Sequence, residues 1–110
     1  SKKGPLQQVF HQLILNSLLH GFVAGGDNEV QIDIVATETK TQITYTDNGL
    51  GVESNIRAKI FDPFVTSKRG QGASGLGMHL VYNLVTQALA GEIVLDTEYQ
   101  QGARFIITLF

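Results

Sequence analysis

A stretch of six residues, TDNGLG at positions 46–51, carries the first candidate for molecular recognition. It follows the alternating run KTQITY, so Asp47 is expected at the end of a β-strand. A carboxylate at a strand end can accept a hydrogen bond from an exocyclic amine, and neighbouring glycines let a ligand approach. Such a contact distinguishes adenine from guanine. The alternative is an ordinary Asn-Gly turn, although the next segment, VESNIRAKIF, does not have the pattern of a partner strand.

A glycine-rich run later in the chain is a candidate anion site. Gly70, Gly72, Gly75 and Gly77 lead into a segment with helical periodicity. The first amides of a helix lack internal partners, and the missing Cβ atoms would let phosphate groups approach the backbone. The run is not a Walker loop, because no Lys-Ser or Lys-Thr pair follows, and it is not a Rossmann turn, because no βαβ strand precedes it. The alternative is a flexible loop with a helix cap at Ser74.

Two cations, Lys68 and Arg69, lie just before these glycines. They could hold phosphate groups from a loop that closes over a nucleotide. The alternative is a pair of solvated charges.

The first predicted helix carries an unusual polar stripe. Gln8, Gln12 and Asn16 are four residues apart on an otherwise apolar helix, and His20 continues the stripe. An amide oxygen is a hard ligand that Mg²⁺ accepts together with phosphate oxygens and waters, so Asn16 is a candidate metal ligand. The alternative is a solvent-facing stripe, although such a stripe normally carries Lys and Glu.

The elements that must position these residues follow from the periodicity of the sequence. Helical spacing predicts helices over residues 5–22 and 74–89, and a short helix over 53–61. Alternation predicts hairpins over 29–47 and 91–110, whereas residues 66–74 have no periodicity and should form a mobile loop. The buried stripe of the first helix is predicted to comprise Leu6, Val9, Phe10, Leu13, Ile14 and Ser17. The interior positions of the second long helix are predicted to be Leu80, Leu84 and Ala88. Helices that cover one face of antiparallel strands give an α/β two-layer sandwich.

Length, charge and composition limit the functional classes. The 110 residues suit one domain with a single two-layer core. The net charge of −2 shows no basic bias, so nucleic acid and anionic membranes are poor default partners. The absence of cysteine excludes disulfides and thiol chemistry, and no apolar run reaches membrane-spanning length. Because the sequence begins abruptly before a helix, we expect a domain taken from a longer protein.

In this order, the motifs resemble those of the ATP-binding catalytic domain of sensor histidine kinases, in the superfamily that includes gyrase, Hsp90 and MutL. The resemblance covers essentially the whole chain, residues 1–110, as a single domain. LQQVFHQLILNSLLHGF resembles the asparagine box, TDNGLG the first glycine box, and IFDPFVTSKRG the phenylalanine box. GASGLGMHLVYNLV resembles the second glycine box and GARFIITLF the closing strand. The resemblance implies a Bergerat fold, a two-layer sandwich whose mixed, mostly antiparallel sheet is covered on one face by helices.

The resemblance also implies roles for individual positions, with ATP and Mg²⁺ as cofactors. Asn16 matches the asparagine that binds Mg²⁺. Asp47 matches the aspartate that accepts the adenine amino group, and Gly49 and Gly51 shape the same wall. The remaining positions approach or neutralise the phosphates: Lys68, Arg69 and His20 by their charge, and Gly75, Leu76 and Gly77 by their backbone amides.

Some positions depart from the family pattern. Gln12 stands one helical turn before the metal ligand, where many kinases have Asn and hydrolytic relatives have a Glu that activates water. Gln cannot take a proton, so we expect ATP binding with slow hydrolysis, which favours phosphotransfer. Leu19 replaces a basic residue and Ala103 replaces a threonine. We expect these changes to affect the affinity for the nucleotide more than which nucleotide is bound. The expected catalytic positions are Asn16, Gln12 and Lys68.

The resemblance implies that the phosphoacceptor lies elsewhere. Kinases of this type carry it as a His followed by an acidic residue in a helical dimerisation domain, and no histidine of this chain is followed by one. The expected partners are therefore ATP or ADP, the protein's own helical phosphoacceptor domain and, indirectly, a response regulator. His11 and His79 are expected to have surface or packing roles.

Two alternatives stay open: a non-catalytic module that senses ATP or ADP, and a serine kinase of the anti-sigma-factor type. The neighbouring sequence would separate them from a histidine kinase. We expect a cytoplasmic location, as a free protein or as the cytoplasmic part of a membrane-bound sensor. Neither nucleic acid nor direct membrane insertion of this domain is expected.

Overall fold

Two antiparallel hairpins form the sheet of the protein. In the computed structural model, which describes residues 3–18, 26, 28–52, 57–62 and 77–110, β1 (Val30–Ala36) pairs with β2 (Thr41–Asp47). The turn between them is held by Thr37, whose hydroxyl accepts a hydrogen bond from the Lys40 N–H at 3.1 Å. The alternation of apolar and polar residues predicted this hairpin, and the prediction is confirmed.

The second hairpin inserts its last strand into the middle of the sheet. β3 (Glu92–Leu95) pairs with β4 (Arg104–Leu109), and β4 also pairs with β2, which gives the order β1-β2-β4-β3. All of these pairs are antiparallel. Because β2 and β4 lie side by side, Asp47 at the end of β2 meets the residue that precedes β4, Ala103.

Helices supply the second layer. α1 (Lys3–Asn16) continues into a π-type turn at residues 17–18, and α2 (Gly77–Asn83) continues into a π-helical segment, Leu84–Ala88. A 3₁₀ turn at Arg57–Lys59 lies within the predicted short helix. The predicted loop over residues 66–74 lies outside the described residues. In the described part of the chain, no helix combines the length and apolar character needed to cross a bilayer.

The core lies between the helices and one face of the sheet. It is formed by the side chains that alternate along β2, β3 and β4 together with one stripe from each helix: Val9, Leu13, Ile43, Tyr45, Ile60, Met78, Val81, Val85, Leu89, Ile93, Ala103, Phe105 and Ile107. The α/β two-layer prediction is therefore confirmed.

The predicted helix faces need two corrections. In α1, Ile14 lies off the buried stripe and is 42% exposed. In the second helix the predicted interior was wrong, because Leu80 is 40% exposed and Ala88 is exposed, while Leu84 is half-buried. The buried positions are instead Met78, Val81, Val85 and Leu89. Both sets are apolar and spaced three or four apart, so periodicity alone could not decide which face turns inward.

Candidate functional site

The site is centred on the carboxylate of Asp47, which ends β2 and is only 1% exposed. Its Oδ1 accepts hydrogen bonds from the backbone N–H of Gly49 at 3.0 Å and of Ala103 at 2.9 Å. Its Oδ2 accepts a hydrogen bond from the hydroxyl of Ser17 at 2.7 Å. A buried carboxylate needs such donors because it has lost its hydration. The Gly49 contact also forms an Asx turn, which explains the turn-like composition of TDNGLG.

A buried chain of hydroxyl groups leads to this carboxylate. The Ser17 hydroxyl lies 2.8 Å from the hydroxyl of Tyr45, and both side chains are buried with Asp47. Since Ser17 has one proton and a carboxylate only accepts, Ser17 donates to Asp47 and accepts from Tyr45. Burial raises the pKa of the Tyr45 hydroxyl above its ordinary value; the hydrogen bond with Ser17 lowers it and the charge of Asp47 raises it further.

Two glycines build the wall beside Asp47. The backbone N–H of Asp47 donates to the carbonyl of Ala103 at 2.9 Å, so the two residues are joined in both directions. Gly102 has φ +148°, and a Cβ there would overlap the carbonyl oxygen of Asp47. Gly51 has φ +79°, and a Cβ there would lie 3.0 Å from the carbonyl oxygen of Gly102. The absence of side chains at these positions lets the backbone segments around Asp47 and Gly102 pack directly against each other.

Asn48 fixes the chain as it leaves this wall. Its side-chain Oδ1 accepts a hydrogen bond from the backbone N–H of Glu29 at 2.8 Å, and its own N–H donates to the Glu29 carbonyl at 3.2 Å. These bonds join the stretch TDNGLG to the start of β1. In the described part of the chain, β2 pairs with β1 and β4 and with no segment that comes directly after Gly51, so the hairpin-turn alternative does not describe this stretch.

The polar stripe of α1 runs from this site towards the start of α2. Asn16 is half-buried and directly precedes Ser17, and Gln12 is half-buried one turn earlier. The Gln12 Oε1 lies 3.1 Å from the position that a Cβ of Gly77 would occupy, so this glycine allows α2 to approach the stripe. An open groove of about 460 Å³ continues along the same face and is lined by Gly4, Gln7, Gln8, His11, Gln12 and Leu80.

The structure therefore brings Asp47, Gly49 and Gly51 together, and it brings Gln12 to Gly77. Asn16 is also described and lies beside Ser17, whereas the remaining predicted site residues lie outside the described residues: His20, Lys68, Arg69, Gly75 and Leu76. No group of three or more His, Asp or Glu side chains that could hold a metal occurs in the described part of the chain.

Sequence reasoning missed three contributors to the site: Ser17, Tyr45 and Gly102. Ser17 was assigned to the apolar stripe, where a single hydroxyl among large apolar side chains is itself a signal of a buried polar partner. Tyr45 lies two residues before Asp47 and so shares its face of the strand. His79, for which a surface or packing role is expected, has its Nδ1 3.1 Å from the Phe61 carbonyl oxygen.

The Asp47 carboxylate in this arrangement can accept one more hydrogen bond. Oδ2 of Asp47 receives a single hydrogen bond within the described residues, and a carboxylate oxygen can accept two. An exocyclic amine fits this remaining capacity, whereas a carbonyl oxygen would be repelled.

Comparison with known proteins shows which family this chain is similar to. The sequence profile of the histidine kinase-, DNA gyrase B- and HSP90-like ATPase family matches residues 1–110. The alginate biosynthesis sensor protein KinB of Pseudomonas aeruginosa is 30% identical over 104 residues, which cover 94% of this chain and 17% of KinB. The autoinducer 2 sensor kinase/phosphatase LuxQ of Vibrio cholerae is 31% identical over 110 residues, which cover 94% of this chain and 12% of LuxQ.

A solved structure shows the same fold. Full-length ShkA in complex with AMPPNP superimposes with a TM-score of 0.75 and 29% identity over 96% of this chain and 21% of ShkA. The chain thus spans about a fifth or less of each of these three proteins.

Proposed function

Because the chain belongs to the histidine kinase-, DNA gyrase B- and HSP90-like ATPase family, as an ATP-binding catalytic domain of the sensor histidine kinase type, we propose that it binds Mg-ATP and donates the γ-phosphate to a histidine on a separate helical domain. One observation carries this proposal. Within the described residues, Asp47 is a buried carboxylate held by three hydrogen bonds, with capacity for one amine donor beside a wall of glycines. That combination suits an adenine amino group.

The proposed roles divide between base and phosphates. Asp47 accepts the adenine amino group, and Gly49 and Gly51 shape the wall beside it. Asn16 is the proposed Mg²⁺ ligand. Its amide oxygen suits this ion, and its half-buried position next to Ser17 supports the assignment. When bound, Mg²⁺ would neutralise charge on the phosphates. The other proposed positions approach the phosphates: His20, Lys68, Arg69, Gly75, Leu76 and Gly77.

The reaction would be a phosphoryl transfer in which this chain positions ATP and the partner supplies the nucleophile. An imidazole nitrogen of the acceptor attacks the γ-phosphorus, the bond from that phosphorus to the bridging oxygen breaks, and ADP leaves. Gln12 supports transfer over hydrolysis, because its amide cannot take a proton from water as a carboxylate would. Lys68 would neutralise developing charge.

The domain would act in the cytoplasm, within a larger protein that is either free or a membrane-bound sensor. The relatives are several times longer than this chain, which supports a parent that also carries the phosphoacceptor and signals through a response regulator. The second candidate is a module that senses ATP or ADP without transfer. It would need ATP binding by this chain but no phosphoacceptor histidine.

The test is a transfer assay with ATP labelled at its γ-phosphate. The chain, Mg²⁺ and labelled ATP are incubated with the helical phosphoacceptor domain of the same parent protein. We expect acid-labile, base-stable label on the acceptor domain and none with the Asp47→Asn variant of this chain. ATP binding without label on the acceptor would support the sensor, and acid-stable label would indicate a serine kinase.

A further inference from the structure

The face of the sheet that points away from the helices carries a cluster behind the site. Thr46 pairs with Arg104 across β2 and β4, while their neighbours Tyr45 and Phe105 are buried in the core. Side chains alternate between the two faces of a strand, so Thr46 and Arg104 lie on the opposite face from the core. Arg104 also directly follows Ala103, which bonds Asp47 on the other side.

Arg104 joins the end of β2 to the connection between β3 and β4, which comprises residues 96–103. Its Nε donates to the hydroxyl of Thr46 at 3.1 Å. Its guanidinium carbon lies 3.9 Å from the centre of the Tyr99 ring, within the range of a cation–π contact. Its Nη1 lies 3.9 Å from Oδ2 of Asp96. One side chain therefore holds the strand that ends in Asp47 and the connection that ends in Ala103.

The other end of the same connection contacts the carboxylate. Ala103 donates to Asp47 Oδ1, and Gly102 packs so closely on the Asp47 carbonyl that it has no room for a side chain. A small displacement of residues 102–103 would therefore remove one of the two donors that orient Oδ1. Among the described donors, only Gly49 and Ser17 would then hold the carboxylate, so its rotation about the χ2 bond would be less restricted and the direction of Oδ2 less fixed.

We propose that Arg104 and Tyr99 are positioning residues for adenine recognition, because they hold Ala103 against Asp47 from the far face of the sheet. This inference rests on the proposed function, since it names further residues for the same base pocket. The Arg104–Asp96 pair is partly exposed, so it contributes little to global stability. The role of the cluster is local. The cluster sets the orientation of the Asp47 carboxylate, the hydrogen-bond acceptor, rather than the stability of the fold.

The test compares Tyr99→Leu with Tyr99→Phe, and Arg104→Met with Arg104→Lys, in the full chain. The matched control is Gln42→Leu, which lies on the same face as Thr46 at the far end of β2 and pairs with Thr108 rather than with Arg104. Amide hydrogen exchange is measured by NMR at Ala103 and, as a core reference, at Ile107. The dissociation constants of ADP and GDP are measured by calorimetry.

We expect Tyr99→Leu and Arg104→Met to raise the exchange rate at Ala103 by about tenfold or more with Ile107 unchanged, since only a local opening is made easier. The ratio of GDP to ADP dissociation constants should fall at least about threefold, because a rotated carboxylate discriminates less. Tyr99→Phe keeps the ring and should match the unsubstituted chain. Arg104→Lys should lie between, since Lys lacks the planar fork.

Three outcomes would overturn the inference: Ala103 exchange that does not change, a GDP to ADP ratio that does not change, or Tyr99→Phe behaving like Tyr99→Leu. If Tyr99→Leu or Arg104→Met does not fold, Tyr99→Phe and Arg104→Lys are compared by the same two measurements. Arg104→Lys should then show the larger change, and equal values for the two variants would overturn the inference. Failure of the unsubstituted chain to bind ADP would refute the proposed function instead. The exchange at Ala103 would still report whether the cluster holds this residue.

Discussion

The sharpest stability prediction concerns Ser17, whose hydroxyl links two buried polar groups. Ser17→Ala removes the donor to Asp47 Oδ2 at 2.7 Å and the acceptor of the Tyr45 hydroxyl at 2.8 Å. All three side chains are buried, so water cannot replace the lost bonds without a rearrangement.

The magnitude follows from these two bonds. A hydrogen bond to a charged group contributes about 1.5–3 kcal/mol, and an unsatisfied buried hydroxyl costs about 1–3 kcal/mol. Because the two losses share one site and partly relax together, we expect Ser17→Ala to lower the free energy of unfolding by about 2–4 kcal/mol. A domain of this size is stable by about 5–15 kcal/mol, so the variant should fold, with a melting temperature lower by about 10 °C or more.

The assay is urea unfolding of a double-mutant cycle. Tyr45→Phe alone should cost about 0.5–1.5 kcal/mol, because Ser17 still donates to Asp47. In the Tyr45→Phe background, Ser17→Ala should cost about 1 kcal/mol less than in the unsubstituted chain, since the tyrosine hydroxyl is already gone. The slope of the unfolding free energy with urea should not change.

Two results would refute this reasoning. A cost of Ser17→Ala below about 0.5 kcal/mol would mean that the hydroxyl bonds are not made or are readily replaced. Strict additivity of the two substitutions would mean that Ser17 and Tyr45 do not share a hydrogen bond.

Three further predictions test other parts of the structure. Gly102→Ala should lower the free energy of unfolding by at least about 2 kcal/mol, because its Cβ would overlap the Asp47 carbonyl, whereas Gly4→Ala, which meets nothing within 4 Å, should be neutral or stabilising in a chemical unfolding experiment. Equal effects at the two glycines would contradict the close contact at position 102. Asn16→Ala should bring the ADP dissociation constants with and without Mg²⁺ close together in calorimetry, because the proposed metal ligand is lost; an undiminished Mg²⁺ dependence would exclude this role. In thermal unfolding, Val81→Ala should lower the free energy of unfolding by about 2 kcal/mol or more and Leu80→Ala by less than about 1 kcal/mol, because of the two only Val81 is buried. The reverse order would support the helix interior predicted from periodicity.

Local patterns in the sequence predict much of the fold. Alternation along Val30–Ala36 and Thr41–Asp47 gives the first hairpin, because period two is incompatible with a helix. The face of the second long helix could not be predicted, since Leu80 and Val81 both belong to apolar series with helical spacing. Which series turns inward depends on the sheet that it packs against.

The site is predictable only at its centre. Asp47 stands out because a carboxylate follows a strand and precedes glycines. Its partners Ser17 and Ala103 do not, because they are 30 and 56 residues away in sequence and reach Asp47 only after α1 and β4 have packed. Arg104 and Tyr99 are less visible still, since they act from the opposite face of the sheet.

The proposed function depends first on recognition of the adenine amino group by Asp47. Its most direct test is a calorimetric titration of ADP with Mg²⁺ into the unsubstituted chain and into Asp47→Asn. The Asn side chain can still accept from Gly49 and Ala103, but it places an NH₂ group at the position of Oδ2, where it would repel the adenine amine. We predict a folded variant whose dissociation constant for ADP is raised by about a hundredfold or more. An unchanged dissociation constant in a folded variant would contradict recognition of adenine by Asp47.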